Sequence, residues 1–224
     1  MPPLFQSLLF LDERASPGSH VWNMAVDEAL LTRGEGPVLR VYRWDRPAVS
    51  FGYFLPFSAA ENVAQGRPVV RRWTGGGIVE HGEDFTWSLI VPASHPASRA
   101  RPVESYGAIH AALAVALRDS GIVVRQAGAE IPAPTAGMCM SAPAPGDLLL
   151  ADRKIAGAGQ RRCRHGLLHQ GSICGVSLPE DFPDRLAAAL SEDVRDFPAK
   201  GGLISPAQSL VESRYGCDSW LRLR

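Results

Sequence analysis

The sequence predicts an α/β (α+β) fold, a single domain with a mixed, largely antiparallel sheet flanked by helices. Three observations predict it. Apolar residues alternate over short stretches at 38–44, 48–53, 68–73 and 85–91, the period-two pattern of strands. Residues 104–120 carry an apolar stripe at helical spacing. No repeat or linker divides the 224 residues, which is chain enough for one sizeable core.

In order, residues 4–11 read as a strand and 22–31 as a helix stopped by Gly34. Trp22, Val26, Ala29 and Leu30 share the inner face of that helix; Asn23 and Asp27, one turn apart, could reach a site but are expected as solvated positions. After strand 38–44, Asp45-Arg46-Pro47 makes a turn, and Gly52 in the next strand signals a bulge or a close backbone approach. Strand 68–73 runs into three glycines. In residues 85–91, Phe85, Trp87, Leu89 and Val91 face one way and Thr86 and Ser88 the other. The glycine stretch is therefore expected to join two neighbouring strands, with His81 and Asp84 between them.

The helix over 104–120 turns Tyr106, Ile109, Leu113, Ala116 and Leu117 inward, holds His110 as a structural residue and ends at Gly121. Residues 122–124 start another strand. Residues 126–147 show no periodicity and contain Pro132, Pro134, Pro143 and Pro145. So long an irregular segment in a compact domain is functional or mobile. A hairpin follows, with arms at 148–150 and 154–162, then a strand at 167–173 and a helix at 182–190. The last helix is marked by Ser205 as N-cap, Pro206 at its first position, Gln208 at its third and Gly216 at its end.

Composition narrows the function. Acidic and basic residues balance at 23 each, so no overall field draws the chain to nucleic acid or a membrane. Cys139, Cys163, Cys174 and Cys217 form no CxxC pair and no metal-like spacing with histidine. No apolar run approaches the roughly 18 residues of a membrane span, and the N-terminus lacks a signal-peptide pattern. A soluble, cytoplasmic protein with reduced thiols is expected.

The chemistry gathers at three stretches where glycine or other small residues accompany a cationic or imidazole side chain: Arg71 to Gly77, Lys154 to Gln160, and His169 to Ser172. Gly75-Gly76-Gly77 discards three side chains in a row, which lets backbone approach another group closely. The spacing is neither a phosphate-binding loop nor a dinucleotide fingerprint. If the three stretches converge, they make an apolar-walled pocket containing one ammonium and backbone donors. A lysine suits an acyl oxygen, because its ammonium is a compact charge with three steerable donors.

Four segments occur in one order: Asn23-Met24-Ala25-Val26-Asp27-Glu28; Arg71-Arg72-Trp73-Thr74-Gly75-Gly76-Gly77 with His81; Lys154-Ile155-Ala156-Gly157; and Leu168-His169-Gln170-Gly171-Ser172. Together they resemble the lipoate–protein ligase and octanoyltransferase family, which is related to biotin–protein ligases. The resemblance runs from about residue 20 to 190 and implies the biotin/lipoate-ligase-like sheet with a tunnel for a C8 acyl chain. It places Lys154 at the acyl carbonyl and Gly75, Gly76 and Gly77 along the acyl site. Arg71, His81, Gly157 and His169 join them as substrate-binding residues.

Two chemistries fit such a family. A ligase activates lipoate with ATP and magnesium as an acyl-adenylate. A transferase needs no cofactor: it takes octanoyl from acyl carrier protein or another thioester onto a cysteine and passes it to a lysine of a lipoyl domain or a glycine cleavage H protein-like acceptor. Cys139 lies 15 residues before Lys154, similar to the cysteine-containing octanoyl and lipoyl transferase branch, and a nearby ammonium favours a thiolate. Cys174 reads as structural. The chain ends soon after its last helix, which leads us to expect one catalytic domain over 1–224 without a C-terminal accessory domain; that favours a transferase, although a ligase with a separate partner subunit would look the same. A non-catalytic acyl-binding protein on the same fold is a third reading. Leu55, the Ala/Pro-rich cysteine segment and Gln170, which replaces one histidine of a common pair, depart from the family pattern.

Overall fold

The computed structural model of the chain describes residues 3–128, 142–198 and 201–223. Its first half comprises β1 (Leu8–Asp12), α1 (His20–Arg33), β2 (Val38–Tyr42), β3 (Ala48–Phe51), α2 (Phe57–Ala64), β4 (Val69–Arg71), β5 (Ile78–His81), β6 (Phe85–Pro92) and α3 (Pro102–Asp119). Then come β7 (Arg125–Gln126), β8 (Leu148–Leu150), β9 (Arg153–Cys163), β10 (Gly166–Ile173), α4 (Phe182–Leu190), β11 (Val194–Asp196), α5 (Gly201–Leu210) and α6 (Asp218–Leu221).

Among the described residues the strands form two sheets. One has eight strands in the order β11-β1-β2-β6-β10-β9-β8-β7, and the other has three, β4-β3-β5. Pairing is parallel where β1 meets β11 and β2 and where β3 meets β4. The remaining pairs are antiparallel. The expected mixed, largely antiparallel sheet flanked by helices is the observed one.

Strand alternation sends side chains into two layers. Trp87, Leu89 and Val91 of β6 pack with Leu113 and Leu117 of α3 and with Phe182 and Leu186 of α4. Their neighbours Ile90 and, on β10, Leu168 pack instead with Met24 and Leu30 of α1 and Leu203 of α5. Each such fully buried side chain contributes roughly 1.5–3 kcal/mol relative to exposure. Helix α1 starts where the Ser19 side chain accepts from the Trp22 amide, and it stops at Gly34 in a left-handed conformation, φ 70°. Helix α3 begins with Pro102, and the Glu104 carboxylate accepts from the backbone amide and the guanidinium of Arg101.

The structure departs from the sequence reading in several places. The glycine stretch joins β4 to β5, which flank β3 on opposite sides, so the two strands are not neighbours and β6 lies in the other sheet. A four-residue strand with Glu80 exposed carries too short an alternation to stand out. Residues 122–124 are irregular, and pairing begins at Arg125. Helix α5 begins at Gly201, so Pro206 sits inside it rather than at its first position. Asn23 and Asp27 are fully buried, not solvated. Arg40, rising from β2 beneath α1, donates to Asp27 Oδ1 at 2.8 Å and to Asn23 Oδ1 at 3.0 Å. Helical periodicity sees only apolar partners and misses a polar contact of this kind.

Candidate functional site

A narrow cleft runs between the two sheets. One wall comes from β9 and β10, through Gly157, Ala158, Gly159 and Gln170 to Ser172; the other comes from Ser50, Arg72, Val79 and His81. Met24, Tyr42 and Trp44 close its sides. It forms because small residues keep the facing backbones close. A Cβ on Gly159 would collide with the Gly75 carbonyl oxygen, and one on Gly52 with that of Gly76. The Gly75 amide donates to the Gln160 carbonyl at 3.3 Å, tying the glycine loop to the strand that carries Lys154. Gly76 takes φ 99°, a backbone state in which a side chain is strained.

Lys154 is buried beside Gly157, which lines this cleft, with its Nζ 2.7 Å from Asp147 Oδ2. Its Cε would lie 2.5 Å from a Cβ on Gly157, so the lysine lies across the strand only because residue 157 has no side chain. The hairpin register places Leu148 opposite Ala156, and so puts Asp147 beside Gly157. Tyr106 of α3 donates its hydroxyl to Asp147 Oδ1 at 2.5 Å and accepts from the Ala158 amide at 2.9 Å.

His81 belongs to a chain of buried hydrogen bonds. Its Nδ1 lies 2.7 Å from Asp84 Oδ2 and its Nε2 2.6 Å from Ser50 Oγ. Burial alone would raise the Asp84 pKa, but attraction to His81 and hydrogen bonds from His81, Ser172 and the Gly82 amide outweigh it and take it down to about 2. As a carboxylate, Asp84 requires a proton on Nδ1. Arg72 then donates to Ser50 Oγ at 2.7 Å and to the carbonyls of Gly77 at 2.9 Å and Gly75 at 3.3 Å. Trp44 stacks on the imidazole with ring centroids 4.0 Å apart. Ser50–His81–Asp84 has the bond order of a hydrolytic triad. Ser50 is fully buried, however, and its oxygen accepts from a guanidinium. The set therefore braces the glycine loop from below.

Gln170, which also lines the cleft, donates to Asp27 Oδ2 at 2.7 Å and accepts from the Thr74 hydroxyl at 2.7 Å. Ser88 also donates to Asp27, at 2.6 Å. These bonds fix the α1 motif, the glycine loop and β10 against one another.

Of the expected site residues, Gly75, Gly76, Gly77, His81, Lys154 and Gly157 come together around this cleft. Arg71 does not. Its guanidinium donates to the carbonyls of Tyr53 and Leu55, both at 2.8 Å, and of Leu221 at 3.0 Å. It points away because strand alternation gives the two adjacent arginines opposite faces, and Arg72 takes the cleft. His169 also lies on the other face of β10, toward α3, where its Nδ1 meets Gln160 Nε2 at 3.0 Å. Burial, then the nearby His110 and Arg162, push its pKa well below the usual histidine value. His110 is similarly lowered to about 4, chiefly by burial. Cys139 lies outside the described residues.

The sequence reading missed Arg72, Ser50, Trp44, Tyr106 and Asp147. Asp147 had a legible signal, since pairing the hairpin arms puts it across from Gly157. Tyr106 did not, because its ring occupies an ordinary core position on the helix stripe. Among the described residues no group of three His, Cys, Asp or Glu side chains converges to hold a metal ion. No helix there is long and apolar enough to cross a membrane.

Known proteins share sequence and fold with this chain. The chain is 36% identical over 198 residues to an octanoyltransferase LipM of Kyrpidia tusciae, covering 80% of this chain and 70% of the relative. It is 36% identical to the Staphylococcus aureus octanoyltransferase LipM over 68% of this chain and 60% of that protein. The Geobacillus kaustophilus octanoyltransferase LipM is 33% identical over 89% of this chain and 78% of its own length. The fold superimposes on a lipoate-protein ligase A bound with ATP with a TM-score of 0.77 at 21% identity, covering 99% of each chain. It also matches a bi-partite lipoate protein ligase from Thermoplasma acidophilum with a TM-score of 0.74 at 20% identity, covering 100% of this chain and 98% of that one. The family profile of the lipoyl protein ligase A/B catalytic domain spans residues 19–200. The chain belongs to the lipoyl protein ligase A/B catalytic domain family.

Proposed function

We propose that the protein is an octanoyltransferase that moves an octanoyl group from a thioester donor to the lysine of a lipoyl domain. The observation that carries this reading is Lys154, an ammonium buried against Gly157 in the wall of a narrow cleft kept close by glycine. Relatives of 33% to 36% identity named as octanoyltransferases support it. The cleft takes the acyl chain, Lys154 polarises the carbonyl, and Gly75 to Gly77 with His81 shape the site. The Cys139 thiol gives up its proton and attacks the donor carbonyl, and the carrier thiolate leaves and takes up that proton. The amine of the acceptor lysine then attacks the Cys139 thioester, an amide forms, and the Cys139 thiol is released. Neither step consumes ATP. Octanoyl–acyl carrier protein is the donor that fits this chemistry, and a lipoyl domain or H protein-like domain is the acceptor.

Intact mass spectrometry after incubation with octanoyl–acyl carrier protein tests the reading. An octanoyl adduct that maps to Cys139 and moves to an added lipoyl domain is expected. Full activity in Cys139→Ala, or no adduct at all, overturns the covalent route. Lipoate-dependent ATP–pyrophosphate exchange without thioester transfer would replace this reading with ligation. Ligand binding without any transfer, unchanged in Lys154→Ala, would leave an acyl-binding protein.

A further inference from the structure

Lys154 reaches the cleft on a long side chain with several rotatable bonds, and ordering such a chain costs up to about 2 kcal/mol. Its ammonium is useful to an acyl carbonyl only from a fixed place, because misplacement of about 1 Å lowers rates on the order of a hundredfold. The surroundings contain a device for fixing it. Asp147, itself 1% exposed, holds Nζ at 2.7 Å through Oδ2. That same oxygen accepts from the Ala144 amide at 2.6 Å, while Oδ1 accepts from the Tyr106 hydroxyl at 2.5 Å. Both carboxylate oxygens are thus anchored from outside β9.

Tyr106 is anchored in turn. Its oxygen accepts from the Ala158 amide at 2.9 Å, an N–H left over because β8 pairs with β9 only as far as Ala156. Its ring occupies the place of a side chain at Gly146, where a Cβ would lie 2.8 Å from the ring. A chain of bonds therefore runs from the backbone of Lys154's own strand through Tyr106 and Asp147 back to its ammonium. Charge-assisted bonds in such a chain reinforce one another.

We infer that Asp147 and Tyr106 are positioning residues that hold the Lys154 ammonium across Gly157 in the cleft wall. The inference rests on the acyl-transfer reading for its consequence, but its geometry can be tested separately. Asp147→Asn keeps the shape and removes the charge. It lowers kcat for octanoyl transfer on the order of a hundredfold with little change in KM for the donor. Tyr106→Phe lowers kcat about tenfold. In a Lys154→Ala background neither change costs anything further, because both act through the lysine. Equal losses in the two backgrounds would overturn the inference.

Reductive methylation of Lys154, followed by mass spectrometry, gives a second reading that needs no activity. A held ammonium is protected in the unaltered chain and is modified about tenfold faster in Asp147→Asn or Tyr106→Phe. Equal modification in all three chains overturns the inference even if no octanoyl transfer is detected. A chain that moves no octanoyl group but shows this protection loses the acyl-transfer reading and keeps the positioning. If Asp147→Asn does not fold, Tyr106→Phe carries both measurements.

Discussion

Gly159 lies directly against Gly75, so the strand that carries Lys154 and the glycine loop of the small sheet touch backbone to backbone. No side chain fits between them. The contact sets the width of the cleft, and it explains why glycines cluster on both partners.

Gly159→Ala should therefore push the loop off β9. Overpacking of this kind costs roughly 1–3 kcal/mol. Thermal unfolding should show a lowered Tm, and octanoyl transfer should fall more steeply than the Tm shift alone would give. An alanine variant with unchanged transfer would show that the cleft width is not set here.

His81→Phe keeps a ring for Trp44 to stack on and removes both hydrogen bonds to Ser50 and Asp84. Arg72 then loses its fixed partner at Ser50, and the loop carbonyls it holds are released. Amide hydrogen exchange at residues 74–77 is expected to accelerate about tenfold or more while α3 and α4 stay protected. Uniform acceleration through the chain would mean that His81 supports global stability instead.

Asp27→Ala leaves Arg40 buried beside a missing carboxylate, although Glu13 still accepts from its Nε at 2.6 Å. Breaking one member of a buried pair costs about 3–5 kcal/mol. Urea unfolding should show the loss as a lower midpoint. Gln170→Leu removes a neutral partner from the same carboxylate and should cost less, about 1–3 kcal/mol.

Acid sensitivity follows from the two buried histidines. His110 falls to about 4 from 6.5, chiefly through burial, and His169 is lowered as well. Between about pH 6.5 and 4 the unfolded chain binds protons at these sites that the native chain refuses, so stability drops as pH falls through that window. His110 alone accounts for about 3 kcal/mol, taking roughly 1.4 kcal/mol for each unit. Replacing it, as in His110→Gln, should flatten the urea midpoint between pH 7 and 4.5. An unchanged slope would place the titration elsewhere. Asp84 acts lower on the scale: its carboxylate supports the fold above about pH 3.8 and ceases to do so as pH falls toward 2.

Arg71→Met should detach the C-terminal segment without touching the cleft, since its guanidinium bonds run to Tyr53, Leu55, Trp220 and Leu221. A loss of about 1.5–3 kcal/mol with transfer kinetics preserved at low temperature is expected. A selective rise in KM for the octanoyl donor would return Arg71 to the substrate.

The sequence by itself determined the layered fold, because period two in 85–91 and period 3.6 in 104–120 are local properties of the chain. It also determined where glycine is required, and through ordered motifs it brought Gly75 to Gly77, Lys154 and Gly157 to one site. The tertiary structure alone decided which of two adjacent arginines faces the cleft, because a single step along a strand reverses the side chain. It also decided that His169 looks toward α3 and that Asp27 and Arg40 meet inside the protein. Asp147 and Tyr106 belong with these. Their meaning lies in a hydrogen-bond circuit closed by residues 41 and 52 positions apart, which no local pattern encodes.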